Sequence, residues 1–64
     1  MRIAINGEAR DIAAATVAAA LEEAGYGPRV ATALNGDFLP AAARAATPLR
    51  DGDRLEVVAP MQGG

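Results

Sequence analysis

Cysteine, histidine, tryptophan and lysine are all absent from the 64 residues, and there is one tyrosine and one phenylalanine. Without Cys there is no disulfide framework, no thiolate metal site and no thiol nucleophile. The added lack of His excludes a structural zinc site and a Ser-His or Cys-His catalytic pair. The longest uncharged stretch lies between Asp11 and Glu22 and is mostly Ala. It is far too short to span a bilayer as a helix. Met1 leads straight into a strand-like pattern, so no signal peptide is expected and the cytoplasm is the expected location. All cations are Arg, spread singly along a chain of net charge −2. That distribution gives no clustered basic face for nucleic acid.

What is present is mostly small. Alanine accounts for 17 residues, which leaves 16 larger apolar side chains. They suffice for one sheet face covered by one helix, not for layers on both sides. Ile3 and Ile5 alternate on one face of a first strand, Asn6-Gly7 signals a type I′ turn, and Glu8 to Ile12 reads as the return strand. Thr16 is a good N-cap and Gly25 a good left-handed residue just past a helix C-terminus. Val17, Ala20, Leu21 and Ala24 make the apolar face between them, and Glu22 and Glu23 are expected in solvent near the negative end of the dipole. Arg29 to Leu34 reads as a third strand, Asn35-Gly36 as a second hairpin turn, and Asp37-Phe38-Leu39 as a short strand stopped by Pro40. Ala41 to Ala46 forms one helical turn or a loop, closed off by Pro48. Asp51-Gly52-Asp53 is a turn rather than a calcium loop, because the twelfth position is Gln62 and not Glu. Leu55 and Val57 share a face of the last strand, which Pro60 ends. Parallel pairing of the first and last strands, joined through a right-handed crossover containing the helix, satisfies this order. The expected fold is α+β: a β-grasp, with a mixed sheet of four to five strands on one helix. Residues 1–59 form this domain and residues 60–64 a flexible tail.

The acids form no pair with the means for acid–base or nucleophilic catalysis. Gly25-Tyr26-Gly27 lacks the third glycine and following helix of a phosphate loop. Tyr26 and Phe38 either close the small core or contact a partner. That leaves the C-terminal segment. Residues 60–64 can extend about 16 Å. Gly63 and Gly64 add no side chain, so this segment suits a narrow channel in another protein.

The stretch Ala33-Leu34-Asn35-Gly36-Asp37-Phe38-Leu39-Pro40 and the stretch Thr47-Pro48-Leu49-Arg50-Asp51-Gly52-Asp53-Arg54-Leu55-Glu56-Val57-Val58-Ala59-Pro60-Met61-Gln62-Gly63-Gly64 resemble the ThiS family of thiamine-biosynthesis sulfur carriers. Ile3-Ala4-Ile5-Asn6-Gly7-Glu8 and the helix start at Thr16-Val17 fit as well. The resemblance implies a ubiquitin-like fold and a carrier rather than an enzyme. It implies that a ThiF-like partner adenylates Gly64 with MgATP, no cofactor being bound by this chain. Sulfur from a persulfide donor then gives a thiocarboxylate, which a ThiG-like thiazole synthase consumes. Gly63 would let the tail thread, and Phe38, Leu39 and Met61 are candidate partner contacts. The chain departs from the family in its alanine content around residues 13–20 and 41–46. Three other readings stay open: the molybdopterin synthase small subunit (MoaD), whose members are generally longer; a ubiquitin-like modifier joined to target lysines; and a plain interaction domain whose Gly-Gly end is accidental. With no Cys the sulfur must come in trans, and with no Lys the chain offers no side-chain amine to attack its own activated end.

Overall fold

A computed structural model of the protein describes residues 1–59. Strands β1 (Arg2–Ile5) and β2 (Glu8–Asp11) form the first hairpin, helix α1 (Val17–Glu23) follows, and β3 (Ala31–Leu34) and β4 (Asp37–Leu39) form the second hairpin. A 3₁₀ helix over Ala41–Ala46 and a final strand β5 (Arg54–Val58) complete it. The sheet has five strands in the order β2-β1-β5-β3-β4. β1 and β5 are parallel at its centre, and the other pairings are antiparallel. This is the expected architecture.

Each element follows from local chemistry. Asn6 and Gly7 sit at φ 52° and 83°, and Asn35 and Gly36 at 51° and 88°, the left-handed pairs that type I′ hairpins require. Thr16 caps α1 by accepting from the Ala19 N–H at 3.2 Å. At the other end Gly25 takes φ 88°. The Tyr26 N–H donates to Leu21 O at 2.8 Å and the Gly25 N–H to Glu22 O at 3.1 Å, a complete Schellman closure. The core is Ile3, Ile5, Ile12, Val17, Ala20, Leu21, Val30, Leu49, Leu55 and Val57, with Tyr26, Leu34 and Leu39 packed partly against it. Tyr26 therefore helps to close the core, and Phe38 does not.

Three details differ from the sequence reading. β3 begins at Ala31 rather than Arg29. The carbonyls of Pro28 and Val30 accept from the Arg44 guanidinium instead of from a strand partner. Glu23 is not idle in solvent: its carboxylate accepts from the Ala13 N–H at 3.0 and 3.1 Å and from the Ala14 N–H at 3.0 Å, tying the loop before α1 to its last turn. Residues 41–46 settle as a 3₁₀ helix. Its Arg44 is only 6% exposed. Nε donates to Thr32 Oγ1 at 3.0 Å, and Thr32 in turn donates to Leu39 O at 2.9 Å. A buried cation is tolerable only when its donors are met in this way.

Candidate functional site

Because α1 and the 3₁₀ helix cover one face only, the opposite face of the sheet stays open among the described residues. β5 runs down the middle of that face. Its alternation buries Leu55 and Val57 and turns Arg54, Glu56 and Val58 outward. Val58 stands opposite Ala31, and Glu56 opposite Ala33. Ala33 is also opposite Phe38 on β4. Phe38 and Val58 thus rise on either side of two alanines, 72% and 65% exposed, Val58 at the end of β5 that leads to residue 60 and Phe38 on the edge strand at the level of Glu56. Together they form an exposed apolar patch on the open face.

The candidate partner contacts divide. Phe38 lies on the open face and is free to meet a partner, whereas Leu39 points the other way and packs partly against the core. Met61, Gly63 and Gly64 lie outside the described residues, as does the whole segment 60–64.

Most carboxylates near the strand ends already hold protein groups. Asp53 accepts from Asn35 Nδ2 at 3.0 Å and from the Arg50 N–H at 2.8 Å. These bonds, the Asn35 one first, hold its carboxyl below the usual carboxylate range. Asp11 is held low by its hydrogen bond from Arg2 and then by that charge. Asp51 accepts from the Arg2 N–H at 2.7 Å. The Asp51-Gly52-Asp53 turn is thus stitched to β1 and to its own backbone, as the turn reading expects. A cavity of about 270 Å³ opens beside α1, lined in part by Leu21, Glu22, Tyr26 and Arg44.

Three features had no counterpart in the sequence reading: the burial of Arg44, the loop-holding role of Glu23, and the use of both turn asparagines against β5. Asn35 Oδ1 accepts from the Arg54 N–H at 2.9 Å, at the start of that strand. Asn6 takes both backbone groups of Val57 near its end, accepting from the N–H at 2.8 Å and donating to the carbonyl at 3.1 Å. The one available signal was the choice of Asn over Asp at both turns, since only the amide both donates and accepts.

A mixed five-stranded sheet with parallel central first and last strands, wrapped on one helix, defines a β-grasp, ubiquitin-like protein. Within that class, the chain belongs to the ThiS family, whose model matches residues 3–64. It is 30% identical to the crystal structure of a thiamine biosynthesis protein (ThiS) from Geobacter metallireducens, with a TM-score of 0.80 and complete coverage of both chains. A solution structure of a thiamine biosynthesis protein from the same organism matches equally, at 30% identity and TM-score 0.80, over 88% of its length. Among curated proteins, the chain is 42% identical over 66 aligned positions to a protein named thiazole synthase from Paramagnetospirillum magneticum. The chain spans 20% of the length of that relative.

Proposed function

We propose that this ThiS-family chain is a sulfur carrier for thiamine biosynthesis and that its chemistry takes place at Gly64. A carboxylate is a poor electrophile, so activation comes first. A Gly64 carboxylate oxygen attacks the α-phosphorus of ATP bound with Mg²⁺ in a ThiF-like enzyme, and pyrophosphate leaves. The terminal sulfur of a persulfide then attacks the acyl-adenylate carbonyl and displaces AMP, giving an acyl disulfide, and a thiol cleaves its S–S bond to release the thiocarboxylate and a disulfide. A ThiG-like thiazole synthase takes that sulfur into the thiazole ring. The chain itself contributes no cofactor, and the exchange takes place in the cytoplasm.

The observation that carries this reading is the placement of β5. In a ThiS-family fold the central strand, paired on both sides, ends at the exposed Val58 and leads to the residues that end Gly63-Gly64. A relative named thiazole synthase that contains a region like this chain supports the same partner. Reach and lack of bulk matter because positioning errors of about 1 Å cost roughly 100-fold in rate. Deleting Gly64 shortens the segment by about 3.3 Å. ATP–pyrophosphate exchange with the cognate activating enzyme is expected to disappear on that deletion and to fall nearly as far in Gly63→Val, with thermal unfolding unchanged in both. Normal exchange and thiazole formation by the Gly64 deletion would rule this function out.

A further inference from the structure

In the parallel β1–β5 ladder, alternate β5 carbonyls should accept from alternate β1 amides. The Ala4 N–H donates to Asp53 O at 2.9 Å and the Asn6 N–H to Leu55 O at 3.0 Å. The next rung belongs to Val57, but the chain has turned away at Gly7, where φ is 83°. The Asn6 carboxamide fills the missing rung, meeting both the Val57 N–H and its carbonyl. On the other side of β5, Val57 faces Thr32 of β3. Val57 is a buried residue two positions before Ala59 and the entry to the tail. An unfilled rung there would leave two backbone groups short of partners at the last buried residue of β5.

We propose that Asn6 is a positioning residue for the carrier reaction: its side chain extends the sheet by one rung and thereby holds the end of β5, from which the chain continues toward Gly64, in the ladder. The role rests on the reading that the tail is the reacting segment. It differs from the turn role of the same residue, because φ 52° asks only for a residue that tolerates the left-handed region. Glycine keeps the turn and removes the rung. Asn35 supplies a matched comparison. It holds the same turn position at φ 51° and also clamps β5, but at Arg54, the end away from the tail.

Asn6→Gly and Asn35→Gly are to be compared with the native chain in ATP–pyrophosphate exchange with the cognate activating enzyme, below the unfolding midpoint of each. Both variants lose a clamp on β5, so both are expected to lower thermal stability. Only Asn6→Gly is expected to speed hydrogen exchange at the Val57 amide and to lower kcat/KM by roughly 10- to 100-fold, mainly in kcat because the docking face is untouched. Asn35→Gly should stay within about twofold of the native chain. Asn6→Asp, which keeps the acceptor and loses the donor, should fall between, and it replaces Asn6→Gly should the latter not fold. Equal transfer by the Asn6 and Asn35 variants would overturn the positioning role alone. A native chain that supports no exchange would instead overturn the tail reading, and the positioning role with it.

Discussion

Asn6 and Asn35 each do two things, and only the first was visible in the sequence. Asn-Gly between alternating strands announces a left-handed turn from local chemistry. The carboxamide bonds to Val57 and Arg54 join residues far apart in the chain, which no local pattern encodes. Arg44 was hidden for the same reason. It sits in an alanine run, and its burial depends on the acceptors Pro28, Val30 and Thr32 brought to it by the fold. Leu21 is the opposite case, since helical spacing alone placed it in the core, where it is 4% exposed. Truncating it leaves a cavity in a small core that cannot readily collapse. Leu21→Ala should therefore cost about 2–5 kcal/mol, read from urea unfolding at fixed slope. A change below about 0.5 kcal/mol would contradict the core assignment.

At the level of elements, helix ends were the most legible part. Thr16 and Gly25 cap α1 through backbone groups within a few residues, so the code is local. The start of β3 was less so, because the Arg44 side chain from the 3₁₀ helix takes the carbonyls of Pro28 and Val30 just before it. The turn before β5 joins both kinds of information. Asp53 takes the Arg50 N–H locally and Asn35 from another hairpin. Its carboxyl is therefore held low in the folded state. The unfolded carboxyl titrates near 3.9, and the folded one below that. The stabilisation is complete above the unfolded value and is lost as pH falls through the folded one. Thermal midpoints of the native chain should hold steady from neutral pH to about 5 and drop below about 4. Asp53→Asn should lower the midpoint at pH 7 and flatten part of the acid fall. An Asp53→Asn acid profile parallel to the native one would contradict this role. The Arg2–Asp11 pair is mostly exposed and should add little.

The whole molecule is a sheet covered on one side, with its central last strand leading to the end of the chain. That arrangement was legible because the 16 larger apolar residues could fill only one layer interface. The open face was less so: which of Phe38 and Leu39 turns outward depends on the register of β4 against β3. Phe38 proves exposed, so Phe38→Ala should leave the unfolding midpoint within about 2 °C. It should also weaken binding to the activating enzyme by about 1–2 kcal/mol in a calorimetric titration. Unchanged affinity would remove the patch from the account. The candidate site was legible only as a composition, a body short of catalytic groups and an end of two glycines. On the proposed function, the Gly64 carboxylate carries sulfur. The intact mass of the protein isolated from its native cell tests it most directly. The expected species ends at Gly64 with one oxygen replaced by sulfur, and it vanishes when the activating enzyme is deleted. Finding only the unmodified carboxylate in cells making thiamine, or Gly64 in an isopeptide bond to another protein, would contradict it.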